Sequence, residues 1–513
     1  MKNDSNVWSA DLGNGDYQNP IIHADYSDPD VIRVGDDFYM VSSSFQMTPC
    51  LPILHSKDLV NWKIINHVAE KLPYSSYDKP RHGDGVWAPS LRYHDGKFWV
   101  FFGMPDEGVY MSTATDPAGE WTPLHQVKKV KGWIDTCPFW DDDGNAYLVS
   151  AFARSRIGFK SILHMSRMKP DGTELLDDGK HIFDGNEHHP TIEGPKMYKR
   201  NGYYYIFAPA GGVSTGWQTI LRSKHVFGPY EDKIVLQQGN TDINGPHQGG
   251  WIDTSTGEDW FIHFQDKDAY GRIVHLQPMR WENDWPVMGV KQNQEGIGEP
   301  VLQWKKPNVS STQEITVPQI NDDFSKGKLA LQWQWRANQQ SDWYELTKEG
   351  LRLFASNQPR TKLYDLPNIL TQKFPADAFR VTAQLTANLS EQTERAGLTI
   401  LGFDYASISI TKSDNRYVIQ YIHGNKDTNE QEKIIGYLET PTVYFRAEVT
   451  RDKKVQFSYS SDGEYYHLLE QPFTATKGQW IGAQIGLYCV NNSDEQTSAY
   501  CDFHSFVVDC GEK

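Results

Sequence analysis

Asn201-Gly202-Tyr203-Tyr204-Tyr205 is a turn-forming pair that runs straight into three aromatic residues. Asn-Gly or Asp-Gly between strand-like runs favours a tight hairpin turn, because both residues tolerate positive φ. Four related stretches precede or follow it. They are Gly35-Asp36-Asp37-Phe38-Tyr39, Asp95-Gly96-Lys97-Phe98-Trp99, Asp143-Gly144-Asn145-Ala146-Tyr147 and Gly257-Glu258-Asp259-Trp260-Phe261. With Phe38, Phe98, Ala146, Tyr204 and Trp260 as anchors, the steps are 60, 48, 58 and 56 residues. A repeat of roughly 50–60 residues holding about four short strands has the size of a propeller blade. Five copies predict five blades. Unrelated hairpins in one sandwich are the alternative, and the near-regular spacing speaks against it.

The chain has 513 residues, more than one hydrophobic core organises. The repeat fades after Trp304. Lys305-Lys306-Pro307-Asn308-Val309-Ser310-Ser311-Thr312 is polar and turn-prone and reads as a linker. Strand-like runs then resume without the blade period. Examples are Leu329-Ala330-Leu331-Gln332-Trp333, Val443 to Val449 and Val455 to Tyr459, with a hairpin signal at Asp462-Gly463. The expected architecture is all-β: a five-bladed β-propeller over residues 1–305, a linker over 306–319 and an antiparallel β-sandwich over 320–513.

A formal net charge of −16 argues against a nucleic-acid or anionic-membrane partner, either of which would need a basic face. A neutral substrate fits better. No window reaches the roughly 18 apolar residues of a membrane-spanning helix. Met1 to Gly15 has no apolar signal core, so a complete chain would be cytoplasmic and a mature form periplasmic or secreted. Cys50, Cys137, Cys489, Cys501 and Cys510 have no metal-binding spacing and are too sparse for a disulfide framework. Aromatics make up 13% of residues, which serves sheet cores and also the apolar faces of sugar rings. Nothing in the sequence bears on oligomeric state.

In a propeller the innermost strand of each blade faces the central axis, so residues just upstream of the hairpin anchors should converge. Asp28 lies ten residues before Phe38, Trp87 eleven before Phe98, Asp135 eleven before Ala146, Glu193 eleven before Tyr204, and His247 thirteen before Trp260. Three blades thus place a carboxylate at this position. Glycoside hydrolysis needs two carboxyl groups, one to protonate the leaving oxygen and one to act as base or nucleophile. A third nearby would raise the acid's pKa by like-charge repulsion. Any one of them alone would read as a turn or capping residue; recurrence in three repeats favours the chemical role.

The chain resembles glycoside hydrolase family 43, near its β-xylosidase and α-L-arabinofuranosidase members. The resemblance covers nearly the whole chain and is carried by Asn19-Pro20-Ile21, Ser27 to Arg33, Leu54 to Trp62, Trp87-Ala88-Pro89, Ile134-Asp135, Glu193-Gly194-Pro195 and Gly271-Arg272. It implies that Asp28 is the general base, Asp135 the pKa modulator and Glu193 the general acid of an inverting, exo-acting hydrolase. It also implies that Arg272 sits beside Asp28 and that the C-terminal sandwich is the accessory domain of such enzymes. Two positions depart from the family pattern. Ser90 follows Trp-Ala-Pro where Asp is frequent, and Tyr26-Ser27 stands where many xylosidases have His-Pro.

Phe45 and Trp87 are candidate sugar-contacting aromatics, with core packing as their alternative. His247 could bind an axial water or a calcium ion, or be a satisfied buried histidine. Asp323 and Asp502 could be ligands of a structural Ca²⁺, which prefers hard oxygen donors; the acid–base chemistry itself requires no cofactor. The expected partner is an oligosaccharide or polysaccharide bearing terminal L-arabinofuranose or D-xylose. An endo-arabinanase would instead show an open cleft across the propeller. A non-catalytic sugar-binding propeller would have lost one of the three carboxylates, and none is lost.

Overall fold

A computed structural model describes residues 7–311 and 313–511. Met1 to Asn6 of the segment read for a leader, Thr312 of the linker, and the last two residues lie outside that range. Among the described residues, five four-stranded antiparallel sheets follow one another along the chain, each built from four consecutive strands. Their first strands are Asp30–Val34, Trp87–His94, Trp133–Trp140, Lys196–Arg200 and His247–Asp253. The blades pack beside one another through these strands, the fourth meeting the fifth mainly through its second strand, Tyr203–Ala210, and the ring closes with the fifth against the first. The chain is therefore a five-bladed propeller, and the quoted turn joins the first and second strand of every blade.

Turn chemistry explains the register. Asp95 and Gly96 have φ of 49° and 72°, and Asn201 and Gly202 have 51° and 71°. Positive φ at both central residues is the two-residue turn that matches strand twist. Asp143-Gly144 differs, because five residues separate Trp140 from Ala146. There the Gly144 N–H bonds the Asp141 carbonyl at 3.1 Å, and only the glycine is left-handed.

Every blade is contiguous in sequence, so closure falls to a separate strap. Asp16–Gln18 pairs antiparallel with Gln303–Lys305. Asn19 bonds the backbone of Leu276 in both directions and also the Val301 carbonyl. The Ser56 to Trp62 motif is structural too. Ser56 Oγ and Asp58 Oδ1 accept four backbone N–H bonds of their own turn, and the Trp62 indole donates to the Leu59 carbonyl at 2.8 Å.

The C-terminal part is a sandwich of two eight-stranded sheets, antiparallel except where Ser356–Asn357 pairs parallel with Gln484–Asn491. Strands Phe379–Asn388 and Thr442–Val449 alternate buried and half-buried residues, as expected for one face on a core. One expected strand is absent. Leu329 to Trp333 forms a turn, and the strand is Gln334–Trp335 instead. Tertiary packing overrides the apolar pattern there: Trp333 is buried against Phe506 and its indole donates to Asp322 at 2.8 Å. The linker segment runs along the first blade, with Lys306 paired to Asp58 at 2.8 Å and Gln313 bonded to Asn61.

Asp323 and Asp502 do not converge on a shared site. Asp323 accepts bonds from Ser325, and Arg352 holds Asp502 through two bonds of 2.8 and 3.0 Å. Among the described residues no group of three or more His, Cys, Asp or Glu side chains is arranged to hold a metal ion. The two domains share one core: Ala269, Tyr270 and Ile273 of the fifth blade belong to the apolar cluster of the sandwich.

Candidate active site

The axial face where the inner strands begin carries one unusual backbone feature in each blade. Asp28, Ala88, Asp135, Gly194 and Gln248 have φ of 54°, 21°, 58°, 59° and 45°. Left-handed backbone is uncommon outside glycine, with Asp and Asn among the tolerated residues. β-bulges accompany it in the second, third and fifth blades, between Trp87 and Ser90, Ile134 and Cys137, and His247 and Gly249. A bulge re-aims side chains at the end of a strand. The five positions aligned from sequence are therefore not all equivalent. Asp28 and Asp135 sit on the left-handed residue, whereas Trp87, Glu193 and His247 sit one residue before it. Because the chain kinks there, both tiers reach one pocket.

That pocket is lined by Asp28, Phe45, Trp87, Ala88, Ile134, Asp135, Glu193, Val213, Gln248, Arg272 and Trp480. Its space, mouth included, is about 470 Å³. The three predicted carboxylates are brought together. Phe45, Trp87 and Arg272 also reach the pocket, while His247 lies behind it.

Asp28 is almost fully buried. Its Oδ2 accepts bonds from Ser27 Oγ and Ser43 Oγ, both at 2.6 Å. Arg272 Nη1 lies 3.3 and 3.4 Å from the two carboxylate oxygens and donates to Ser27 Oγ at 2.8 Å. Arg272 is thus a buried partner of Asp28. Its guanidinium stacks over Phe264 at 4.9 Å and faces Trp480 at 5.8 Å. Tyr26-Ser27, one of the departures from the family pattern, supplies the hydroxyl that joins Asp28 to Arg272.

Asp135 accepts the Gly194 N–H at 2.8 Å, which ties it to the residue after Glu193. Burial, and then the charge of Asp28, push its carboxyl up to about 7, against opposing help from the Gly194 N–H, Lys196 and Arg272. Glu193 is pushed up to about 8, first by burial and then by the charges of Asp135 and Asp28. Lys160 and Arg272 act the other way. Burial holds the His247 imidazole down to about 3, so it is neutral at ordinary pH, and its Nε2 lies 3.1 Å from Glu193 Oε1. His247 therefore braces Glu193. The buried Lys196 ammonium donates to the Pro89 carbonyl and to Ser90 Oγ, both at 2.8 Å, so Ser90 is a neutral acceptor on the axis.

Five pocket residues escaped the sequence: Ala88, Ile134, Val213, Gln248 and Trp480. Ile134 and Gln248 adjoin predicted residues and follow from the kink. Trp480 comes from the sandwich and no repeat signals it. It is 42% exposed, holds φ of 64°, and meets Trp87 edge-to-face at 5.9 Å. A bulky residue in left-handed backbone is an outlier that the surroundings must hold in place. Gly83 makes room for it: a Cβ there would lie 2.3 Å from Gln479 and 2.8 Å from Trp480. Gly85 does the same for Phe45, whose carbonyl a Cβ would approach to 2.2 Å.

Comparison with known proteins agrees with this geometry. The model of Glycosyl hydrolases family 43 matches residues 17–286, and the Beta xylosidase C-terminal Concanavalin A-like domain matches 321–509. A putative beta-xylosidase of Xylanibacter ruminicola is 42% identical over 94% of this chain and 88% of its own length. The non-reducing end alpha-L-arabinofuranosidase BoGH43B of Bacteroides ovatus is 30% identical over 98% of this chain and 97% of its own. The crystal structure of the GH43 BlXynB protein from Bacillus licheniformis superposes with a TM-score of 0.83 at 25% identity, covering 96% of this chain and all of that one. With a catalytic-domain model matched over more than half of its length and a fold shared along nearly all of it, the chain belongs to glycosyl hydrolases family 43 and is a glycoside hydrolase.

Proposed function

We propose that the protein removes single terminal D-xylosyl or L-arabinofuranosyl residues from hemicellulose-derived glycans with inversion at the anomeric carbon. The observation that carries this reading is a pocket floored by three carboxylates and walled by Trp480 from the second domain. A wall at that place favours a chain end over the middle of a polymer, which counts against endo-arabinanase action. Retention of all three carboxylates, two of them strongly perturbed, counts against a purely binding propeller.

In the proposed mechanism Asp28 is the general base. Ser27, Ser43 and Arg272 converge on it, so a water approaching the anomeric carbon meets a fixed acceptor. Glu193 keeps its proton at neutral pH and gives it to the leaving oxygen. Asp135 sustains that state by charge repulsion and is itself held through Gly194. Phe45, Trp87 and Trp480 offer apolar faces to the sugar ring. The xylose reading draws on the named beta-xylosidase relative and the arabinofuranose reading on the named arabinofuranosidase.

The test is hydrolysis of aryl β-D-xyloside and aryl α-L-arabinofuranoside, with proton NMR of the sugar first formed. The anomer opposite to that of the substrate is expected. First appearance of the same anomer would mean a double displacement, and Asp28 would then be a nucleophile rather than a base.

A further inference from the structure

Asp25 lies three residues before Asp28 and does not itself line the pocket, yet it is bonded to the backbone on both sides of it. Its Oδ1 accepts the backbone N–H of Arg272 at 2.9 Å, and its Oδ2 accepts the backbone N–H of Gly482 at 2.9 Å. Arg272 carries the guanidinium that meets Asp28. Gly482 stands two residues beyond Trp480 in the sandwich loop. One buried carboxylate therefore joins the propeller strand behind Asp28 to the loop that walls the pocket.

The packing leaves no slack. A Cβ on Gly271 would lie 2.4 Å from Asp25 Cγ, and a Cβ on Gly482 would lie 2.6 Å from the Gly271 nitrogen. Both glycines are needed for the two backbones to close on the carboxylate. The next bond along the loop, from the Ala483 N–H to the Ala269 carbonyl at 2.7 Å, continues the same seam. Burial pushes the Asp25 carboxyl up, and the charge of the half-buried Lys373 of the sandwich is the first of the effects that oppose it; the Lys373 ammonium donates to Gln334 at 3.0 Å. The chemistry of the residue matters here. A carboxylate offers only acceptors, which suits two N–H donors from two domains. The isosteric amide offers one acceptor and one donor, so one backbone N–H would face another N–H.

We propose that Asp25 is a positioning residue that locks the Trp480 loop of the sandwich and the Arg272 strand of the propeller into one unit, so that the pocket wall and the Asp28–Arg272 pair are set together. This rests on the reading of Asp28 as base and Trp480 as sugar-contacting wall.

The test uses the full chain and whichever aryl glycoside the wild type cleaves faster. Asp25→Asn is expected to raise KM and to lower kcat, each by about fivefold or more, the size of a lost buried hydrogen bond. Trp480→Ala is expected to raise KM as well. In the double variant, Asp25→Asn should add no more than about twofold to the KM of Trp480→Ala, while kcat still falls, because only the Arg272 half of the clamp remains to be lost. Gly482→Ala displaces the loop from Asp25 with every pocket side chain retained, and it should raise KM as Asp25→Asn does. It decides the matter where Asp25→Asn does not fold. Wild-type KM and kcat in Asp25→Asn, or in Gly482→Ala, would overturn the proposal, as would KM effects of Asp25→Asn and Trp480→Ala that simply multiply. Asp28→Asn and Glu193→Gln run in parallel separate this from the reading beneath it. If Asp28→Asn turned over normally, the assignment of the base would fail, whatever the KM coupling between Asp25 and Trp480.

Discussion

Replacing Asp135 by Asn removes one negative charge from beside Glu193 without changing the shape of the side chain. Glu193 rises from 4.5 to about 8 in the folded protein. At about 1.4 kcal/mol per pH unit, that is on the order of 5 kcal/mol against ionisation. Burial is the largest cause, Asp135 the second and Asp28 the third. Asp135 therefore supplies less than half of the upward push, and an adjacent like charge is worth about one pH unit or more. The sign follows directly. The acid works while protonated, so activity falls on the alkaline side as Glu193 loses its proton. Removing a negative neighbour lets that proton leave more easily, and the alkaline limb should move toward acid by about one pH unit. Because Asp135 is itself pushed up to about 7, the native limb belongs to a coupled pair, whereas the variant limb should follow a single titration. The assay is kcat/KM against pH on an unactivated disaccharide, where proton donation limits the rate. A limb that stayed in place or moved toward alkali would refute the tuning role of Asp135. The Gly194 N–H bond to Asp135 would then mark a purely structural residue.

Glu193→Gln should slow release of a sugar leaving group by about 10²-fold or more and spare an activated aryl leaving group, which departs without a proton; equal loss on both would remove Glu193 from the acid role. Folding stability should fall as pH rises. Asp135 and Glu193 hold their protons to about 7 and about 8, above the ~3.9 and ~4.3 of the unfolded chain, so the folded state binds more protons across that window. The melting temperature of Glu193→Gln should therefore decline less between pH 5 and pH 9 than that of the wild type, at about those two buffer values, and identical declines would contradict the shifts. Removing the sandwich after Pro307 should abolish activity and solubility, because Ala269, Tyr270 and Ile273 would lose their core and the pocket would lose Trp480. A soluble, fully active propeller alone is the result that would count against this.

The propeller was legible because its signals are local. A positive-φ turn favours Gly, Asn or Asp, and blade after blade shows a glycine where the first strand ends. Asp28 and Asp135 were legible for a related reason. They occupy the left-handed residue at the head of an inner strand, a conformation that short polar side chains tolerate. In the fourth blade Gly194 takes that conformation, which leaves the preceding position to Glu193. Counting from hairpin anchors could not resolve this one-residue offset, since bulges shift the register between the first and second strands in three of the five blades. Leu329 to Trp333 misled for the opposite reason. Its apolar pattern belongs to a turn packed under Asp322 and Phe506, a tertiary arrangement with no local sign.

Trp480 shows where local reading stops. Its approach to the pocket needs the missing side chain of Gly83, the close contact of Gly271 with Gly482, and a carboxylate at position 25 that binds both domains. Each of these residues has an ordinary reading in its own stretch: a loop glycine, a strand-start glycine, an acidic residue before a turn. Only their convergence makes a wall. The three carboxylates recur in the propeller and so leave a periodic trace, whereas a feature that exists once, between two domains, leaves none. Preference for a chain end is therefore expected to vary more freely among such chains than the acid–base chemistry does. A change at Gly83, Gly482 or Asp25 can move Trp480 without touching Asp28, Asp135 or Glu193.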